Sequence, residues 1–432
     1  MLTKGDDYPI HQTPEPIAYA GSDRNFYDRY FFNAYAPDGS AFAAVEFGVY
    51  PALNVADAHI AVVKDGKEAC LHASRVLGLE RMDLVVGPIT IEVLEPLQKL
   101  KVTVAKTDGI AGELTFEGRA FPIEEPRFIK RNGPRLFMDY TRLTQNVRVS
   151  GWLEVDGERI EVKGWVGTRD RSWGIRPVGA PDPQPTPGAG IAGFFWQWTP
   201  FNFQDRSVYF HVNADPDGTP WNTRAVILPD GAGPGGGFEA EVASMEVDLL
   251  PGTRHARSAE LTIPLHQGSA KMKIEPVATF LMRGIGYGGD WRHGGLKGEL
   301  AVAREDLDCA NFDPKDVGNL HIQAISRAAA GSIRAPSRHG KMKRIRGTVS
   351  FALSASAFSS ARSIRLERMS AENAERVSPM LVPISSAWRS MVASARASSI
   401  PRRSAKALQA SLRERPARSS STRKRRWMVR LG

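Results

Sequence analysis

The stretch Trp152-Leu-Glu-Val-Asp156-Gly157-Glu-Arg-Ile-Glu-Val162 decides the fold class, because it has the pattern of a β-hairpin. Leu153 and Val155 point to one face of a strand, and Ile160 and Val162 can meet them across a two-residue loop. Asp and Gly both tolerate the positive φ angles that such a loop requires. The stretch therefore predicts two antiparallel strands joined by a tight turn.

The same turn signal recurs along the chain. Asp-Gly pairs begin at residues 38, 65, 108, 156, 217 and 230, and several of them separate apolar or alternating runs. Sustained helical spacing of apolar residues is missing before residue 320, and Gly and Pro interrupt the chain too often for long helices. We therefore predict an all-β fold of antiparallel strands.

A Pro- and Gly-rich stretch divides the strand-rich part of the chain into two halves. Asp182-Pro-Gln-Pro-Thr-Pro-Gly-Ala-Gly190 has the composition of a linker. The sequence thus predicts an N-terminal domain over residues 1–181 and a C-terminal domain over residues 190–327.

The C-terminal residues 331–432 differ from everything before them, being rich in Arg, Ser and Ala. From His321 onward there are 24 Lys and Arg against four acidic residues, whereas the first 320 residues hold 33 basic and 43 acidic ones. We predict that this tail is disordered. It is either a basic arm or the product of a shifted reading frame. Nucleic-acid binding is the less favoured use, because the tail lacks interleaved aromatic residues for stacking on bases.

Several classes of site are not predicted. The two cysteines, Cys70 and Cys309, lie far apart without a C-x-x-C pair, and the nine histidines show no metal-binding spacing. Gly284-Ile-Gly-Tyr-Gly-Gly289 matches G-x-G-x-x-G, but no helix is predicted after it, so it is not a dinucleotide site. We expect no metal and no cofactor.

The expected location is cytoplasmic. The N-terminus has no apolar leader, and no run of about 18 apolar residues could form a transmembrane segment. Nothing in the sequence specifies an oligomeric state.

The densest mixture of charged and aromatic residues is Gly164-Trp-Val-Gly-Thr-Arg-Asp-Arg-Ser-Trp-Gly-Ile-Arg176. Asp170 has Arg169, Arg171 and Arg176 close to it in sequence. One interpretation is an ion-pair latch that holds a loop in place. The other is a catalytic acid, although three guanidinium groups oppose the raised pKa that an acid needs.

A second aromatic region follows the linker. Trp196 and Trp198 lie on one face of a predicted strand, and Tyr209 and His211 belong to the next strand. These side chains either line an apolar pocket with a few polar groups or form the core of the second domain.

Four segments together resemble a known family: Asp28-Arg-Tyr, Gly133-Pro-Arg-Leu-Phe-Met-Asp-Tyr-Thr-Arg142, Gly167 to Arg176, and Gly284-Ile-Gly-Tyr…Trp291-Arg-His-Gly. This set is similar to bacterial members of the lipocalin-like superfamily that includes the carotenoid hydratases (hydroxyneurosporene synthases) and the AttH-like proteins. The resemblance covers about residues 8 to 327. It implies two tandem lipocalin-like antiparallel β-barrels.

The resemblance also implies a chemistry, in which a carboxylic acid protonates an isoprenoid double bond and water adds to it without a cofactor. Asp170 would be the acid by motif position. Trp173, with Tyr287 or Trp291, would stabilise the carbocation. The family pattern has His where this chain has Arg171, which adds positive charge beside that cation. A related fold also supports pericyclic cyclisation.

The leading hypothesis is a protein that binds a hydrophobic small molecule, such as a terpenoid, steroid or polyketide, and that acts on it by hydration, isomerisation or cyclisation. The alternatives are a non-catalytic carrier of a hydrophobic ligand and nucleic-acid binding through the tail. The candidate catalytic residue is Asp170. The candidate ligand-binding residues are Trp173, Arg176, Trp196, Trp198, Tyr209, His211, Tyr287 and Trp291.

Overall fold

Antiparallel strands make up nearly all the regular structure of the chain. The structure is a computed structural model that describes residues 2–11, 16–133, 135–179, 195–215, 219–253, 255–286, 289–316, 322–331 and 346–353. Two 3-10 helices, Lys4–Asp7 and Pro51–Leu53, are the other regular elements in these ranges. The predicted all-β class is therefore confirmed.

The strands form two sheets and are numbered in chain order. The N-terminal sheet contains β1 Phe26–Tyr35, β2 Ala41–Tyr50, β3 Val55–Lys64, β4 Lys67–Val76, β5 Val85–Val86, β6 Ile89–Glu95, β7 Lys99–Thr107, β8 Ile110–Gly118, β9 Ile123–Glu124, β10 Phe128–Asn132, β11 Arg135–Val155, β12 Glu158–Ile175 and β20 Leu300–Asp308. The C-terminal sheet contains β13 Phe195–Asn202, β14 Arg206–Ala214, β15 Pro220–Pro229, β16 Phe238–Ala240, β17 Ser244–Leu249, β18 Ala256–Pro264, β19 Ser269–Phe280, β21 Ile322–Gly331 and β22 Arg346–Leu353.

The hairpin β11–β12 is the longest pair of strands and forms as the sequence predicts. Leu153 lies opposite Ile160, and the turn residues Asp156 and Gly157 have φ angles of 53° and 85°. Positive φ at both positions matches the right-handed twist of the flanking strands. The turn chemistry therefore sets the register of the two strands that carry most of the site described below.

The N-terminal sheet curls around its own core. Its strands follow the order β20-β4-β3-β2-β1-β12-β11-β8-β7-β6-β5, with β9 and β10 pairing with β11. Apolar side chains from both ends of this order belong to one buried cluster, which includes Leu71, Phe32, Val86 and Leu153. The inner face is thus filled by side chains, and such burial is the main favourable contribution to folding.

The C-terminal sheet has a separate core and packs on the outer face of the first sheet. Its order is β16-β15-β14-β13-β22-β21-β19-β18-β17, and Phe210 and Leu261 belong to its inner cluster. A further buried cluster joins Phe31 and Phe42 of the N-terminal sheet to Trp198 and Phe280 of the C-terminal sheet. The closure of each sheet into a complete barrel stays a prediction.

Three strands, β20, β21 and β22, do not follow the predicted division of the chain. β20 comes from the C-terminal half but pairs with β4 along its whole length, from Leu300 opposite Arg75 to Asp308 opposite Lys67. β21 is paired on both sides, with β19 and with β22, and β22 falls within the predicted tail. The predicted linker at 182–190 lies outside the described residues. No helix in the described ranges has the length and apolar character needed to cross a membrane.

Candidate functional site

A row of outward-facing residues crosses six neighbouring strands of the N-terminal sheet. The residues of this row lie directly opposite one another: Thr144 on β11, Asp170 on β12, Phe31 on β1, Glu46 on β2, His59 on β3 and His72 on β4. All six are buried. Side chains that lie opposite each other on one face are within interaction distance of their neighbours. We call this set the polar row.

Asp170 and the two arginines next to it in sequence lie on opposite faces of the sheet. Because successive strand residues point to opposite faces, Arg169 and Arg171 lie on the inner face of the sheet. There Arg169 pairs with Asp7 and Arg171 pairs with Asp28. The expectation that three arginines surround Asp170 is therefore wrong for two of them, since β12 runs through this segment as a regular strand.

The Asp170 carboxyl has an unusual setting for a buried acid. In the described ranges, no residue donates a hydrogen bond to it or lies within ion-pair distance of it. Burial raises the pKa of Asp170 above its usual range, and this effect outweighs the opposing charges of Arg142 and Arg29, while Glu125 adds to the rise. The carboxyl therefore holds a proton more firmly than an exposed aspartic acid does.

Glu125 is a second buried carboxyl near Asp170, and its pKa is shifted in the opposite direction. Its Oε1 accepts hydrogen bonds from the Thr144 hydroxyl at 2.6 Å and from the Trp198 indole N–H at 2.9 Å. Arg142 lies 3.4 Å from its Oε2. Burial opposes the ionisation of Glu125, but Arg142, His211 and these hydrogen bonds together lower its pKa. One acid of this pair is kept ionised and the other is held towards its neutral form.

Aromatic rings enclose the Arg142 guanidinium. Its central carbon lies 5.2 to 5.9 Å from the ring centroids of Phe128, Tyr140, Trp196 and Trp198. Such cation–π contacts strengthen when they are shielded from water. Trp196 is half-buried, whereas Trp198 is buried. The two tryptophans of the C-terminal sheet thus form a wall over the Asp170 end of the polar row.

His211 also lies at this end of the site, and its hydrogen bonds fix which ring nitrogen carries the proton. Its Nε2 is 2.8 Å from Asn222 Oδ1, and the Asn222 amide nitrogen donates to the carbonyl of Pro126. Asn222 Oδ1 is therefore the acceptor, and His211 Nε2 carries the proton. Burial lowers the pKa of His211, so its ring is neutral and its Nδ1 retains a lone pair.

The other end of the polar row holds Glu46, His59 and His72. Asp57, two residues before His59 on the same face of β3, lies beside them. Glu46 accepts a hydrogen bond from Arg29 at 2.6 Å, and His59 Nδ1 is 3.1 Å from His72 Nδ1. Burial raises the pKa of Glu46 and of Asp57 to about 7, and it lowers the pKa of both histidines to about 4. Both imidazoles are therefore neutral near pH 7.

Residues 281–286 and 289–295 cover this end of the row. Arg29 donates to the Ile285 carbonyl at 2.7 Å, and the Gly294 N–H donates to Asp57 at 2.5 Å. Gly284 has a φ of +73°, and a Cβ there would lie 2.6 Å from the Nδ1 atoms of both histidines. Only glycine fits this position, because both the backbone angle and the close approach exclude a side chain.

The structure brings some of the predicted site residues together and separates others. Asp170, Arg176, Trp196, Trp198 and His211 lie at one end of the polar row, where Arg176 stacks 4.3 Å above the Tyr27 ring. The half-buried Trp291 lies at the other end, stacked on His72 with 5.3 Å between ring centroids.

Three predicted residues do not join this site. Trp173 is on the inner face, where it stacks on His11 at 3.6 Å. Tyr209 holds the two sheets together, since its hydroxyl accepts the Asn146 N–H at 2.8 Å. Tyr287 lies outside the described residues. The four segments on which the family resemblance rests still all reach the polar row or the strands beside it.

Sequence reasoning missed Glu125, Arg142 and the Glu46–Asp57–His59 group. A signal for Glu46 was available, because it is the one charged residue in the apolar stretch Ala41 to Tyr50. A charge in a strand that is buried on both faces needs a partner or a function. No comparable signal existed for Glu125, which precedes Pro126 in an irregular segment.

A cavity that the structure describes lies away from the polar row. It has a volume of about 730 Å³, beside the β11–β12 turn, and charged side chains such as Lys64, Asp156, Arg304 and Asp308 line it. Charged walls of this kind do not suit an apolar ligand. The polar row is therefore the better candidate site.

Comparison with known proteins gives the following matches. No functionally curated protein matches the sequence. The solved structure of kievitone hydratase from Nectria haematococca is 11% identical over 76% of this chain and 89% of that chain, with a TM-score of 0.42. CghA solved with Sch210972 is 12% identical over 77% and 89%, with a TM-score of 0.43, and CghA alone is 11% identical over 81% and 95%, with a TM-score of 0.45. The model of a family described as a family of unknown function (DUF8625) matches residues 2–346, and the chain belongs to this family.

Proposed function

We propose that the protein binds an apolar small molecule against Trp196 and Trp198 and transfers protons to and from it without a cofactor. The observation that carries this proposal is the Asp170 carboxyl, which is buried, has a raised pKa and has no described partner. A carboxyl that keeps its proton near neutral pH can act as a general acid.

The neighbouring groups supply the other roles. Glu125 is held ionised, so the site contains two carboxyls whose pKa values are displaced in opposite directions. This is the usual arrangement of an acid with a charged partner in enzymes that run acid–base chemistry. His211 is neutral with Nδ1 unprotonated, so it is our candidate for the base that activates water or removes a proton.

The charge around Asp170 narrows the substrate class. Arg142 occupies the faces of four aromatic rings, and Arg176 occupies the face of Tyr27. Rings that already hold a cation cannot also stabilise a free carbocation well, whereas fixed guanidinium groups favour developing negative charge on oxygen. We therefore favour a substrate with a carbonyl or enol oxygen, such as an unsaturated ketone of terpenoid, steroid or polyketide type.

The resemblance to the carotenoid hydratases stays a prediction, and this charge pattern changes its chemistry. Protonation of an isolated double bond creates a carbocation beside Arg142. Addition of water to a conjugated carbonyl compound, with His211 taking the proton of the water, or removal of a proton from carbon next to the conjugated system, instead places negative charge on oxygen as an enolate, which Asp170 can then protonate. We propose hydration, isomerisation or cyclisation of a conjugated carbonyl compound, with the negative charge developing on oxygen.

The test compares the purified full chain with the Asp170→Asn variant. Both are incubated with conjugated terpenoid, steroid and polyketide ketones in isotopically labelled water, and mass spectrometry follows the products. We expect Asp170→Asn to lower turnover by about 10² to 10⁴, because one general acid contributes that much. Ligand affinity, measured by quenching of tryptophan fluorescence, should be nearly unchanged.

The matched control is Asp248→Asn, which removes an exposed carboxyl on β17, the last strand in the order of the C-terminal sheet. It should leave turnover and affinity unchanged. Equal turnover in the wild-type chain and in Asp170→Asn would refute the proposed role of Asp170. Binding without turnover by the wild-type chain would favour a carrier.

A further inference from the structure

The Glu46 end of the polar row has the composition and spacing of a metal site. Glu46 lies on β2, and Asp57 and His59 lie on β3. All three side chains are at most 1% exposed. His59 Nε2 is 3.7 Å from Asp57 Oδ2 and 3.9 Å from Glu46 Oε2. Both distances are too long for a hydrogen bond, so His59 Nε2 donates to neither of these carboxylate oxygens.

Each carboxylate is fixed through one oxygen and leaves the other without a donor. Glu46 Oε1 accepts from Arg29 and Tyr50, and Asp57 Oδ2 accepts from the Gly294 N–H. Within the part of the chain that the structure describes, Glu46 Oε2, Asp57 Oδ1 and His59 Nε2 have no hydrogen-bond partner. Buried charged and polar atoms are normally paired or bound to a metal.

The distances suit a first-row transition ion. Bonds of about 2.0 to 2.2 Å to nitrogen and oxygen place two ligand atoms at most about 4.4 Å apart, and about 3.4 Å apart at a tetrahedral angle. The separations of 3.7 and 3.9 Å fall between these values. A site with one imidazole and two carboxylates suits zinc, iron or manganese better than the all-oxygen sites that calcium prefers.

The groups behind His59 give it the orientation of a metal ligand. Its Nδ1 is 3.1 Å from His72 Nδ1, and His72 Nε2 is 3.3 Å from Glu305 Oε2. When the proton of His72 is on Nε2, the nitrogen that faces the Glu305 carboxylate, His72 Nδ1 is an acceptor and His59 Nδ1 carries its proton. The lone pair of His59 then lies on Nε2, which faces the two carboxylates. Outer partners of this kind fix the tautomer of metal-binding histidines.

Charge points the same way. The groups that face the two carboxylates are Arg29, Tyr50, His59 and the Gly294 N–H. Two carboxyl groups therefore face one guanidinium, and a divalent cation would balance the charge of both carboxylates when it binds them.

We propose that Glu46, Asp57 and His59 bind a divalent transition ion, with zinc as the test ion, and that His72 and Glu305 position His59. This site is independent of the proposed acid, since Asp170 lies two strands away from Glu46 in the polar row. Loss of metal binding and loss of Asp170-dependent turnover can therefore be measured separately.

The experiment uses the full chain without a histidine tag, purified from cells grown with added zinc, because a site this deeply buried exchanges metal slowly. Elemental analysis should find about one zinc ion per chain, as a single structural or catalytic site requires. Replacement of zinc by Co²⁺ during refolding should give the visible absorption of a low-symmetry site. A wild-type chain that holds no stoichiometric zinc and takes up no Co²⁺ overturns the proposal.

Variants locate the ion. His59→Ala and Asp57→Asn should lose bound zinc, and His72→Ala should weaken zinc binding by about 10- to 100-fold, the usual effect of an outer partner. His266→Ala, which changes a histidine next to Phe238 in the C-terminal sheet, is the matched control and should keep its zinc. Should the substitutions impair folding, the Glu46→Gln variant tests the same ligand with the least change in shape. Zinc retained by folded variants at positions 46, 57 and 59 overturns the assignment.

Discussion

The two faces of β12 carry the same residue types in opposite arrangements. On the inner face, Arg169 lies 2.5 Å from Asp7, and Arg171 lies 2.6 Å from Asp28. On the outer face, Asp170 has no ion-pair partner among the described residues. Burial opposes ionisation of Asp28, but the charges of Arg171 and His11 outweigh it and lower its pKa, whereas the pKa of Asp170 is raised.

The difference separates structural from chemical use of a buried carboxyl. The inner pairs attach the segment from Lys4 to His11 to the end of the curled sheet, where Arg171 also donates to the Tyr8 carbonyl. An acid that is fully paired stays ionised and unreactive. An acid that is buried without a partner can give up and regain a proton. Adjacent residues therefore serve opposite purposes because a strand alternates its faces.

The largest expected effect comes from breaking an inner pair. Arg171→Met leaves Asp28 buried with His11 as its nearest remaining partner, at 3.0 Å. We expect a loss of about 3 kcal/mol in the free energy of unfolding, because an uncompensated buried charge is strongly destabilising. Urea unfolding followed by circular dichroism measures it.

The double variant Asp28→Asn with Arg171→Met is the control for this result. Removing both charges should recover much of the loss, since replacing a whole buried pair is often nearly neutral. If the double variant is no more stable than Arg171→Met, the inner pair is not what holds this end of the sheet together.

A smaller effect should appear in the pH dependence of the free energy of unfolding, where Asp170 on the outer face and Asp28 on the inner face contribute with opposite signs. The pKa of Asp170 is raised above its ordinary value of 3.8, so above that value the folded chain holds more protons than the unfolded chain does. Stability from this group therefore falls as the pH rises through the folded pKa. Asp28 has a lowered pKa, so its contribution is lost as the pH falls below 3.8.

Urea unfolding of the wild-type chain and of Asp170→Asn from about pH 4 to about pH 8 tests this sign. The stability of Asp170→Asn relative to wild type should increase with pH and then level off, with a slope no steeper than about 1.4 kcal/mol per pH unit. A difference that stays flat across the range would mean that Asp170 titrates alike in both states.

Part of this arrangement could be predicted from sequence. Asp-Gly turns and missing helical periodicity predicted the antiparallel strands, whereas the functional role of the segment around Asp170 stays a prediction. The expected grouping of Arg169 and Arg171 around Asp170 was wrong because it rested on closeness in sequence, whereas strand alternation puts both arginines on the other face. Glu46 carried a local signal, but its meeting with Asp57 and His59, like the position of Glu125, depends on strand order across the sheet, which local patterns do not encode.

The smallest expected effect comes from an ion pair of the same chemistry at the surface. Arg304 of β20 lies 2.5 Å from Asp156 in the β11–β12 turn and also contacts Asp306, yet the two acids are about three-fifths exposed. Water and salt screen such pairs, and the cost of fixing two flexible side chains offsets most of the attraction. Arg304→Met should therefore lower the melting temperature far less than Arg171→Met does, and in about 1 M salt the remaining difference from wild type should vanish. Differential scanning calorimetry at low and high salt measures both variants. A loss in Arg304→Met as large as that in Arg171→Met, and equally large in salt, would mean that β20 depends on this contact to stay against the turn, and that burial is not what distinguishes the inner pairs.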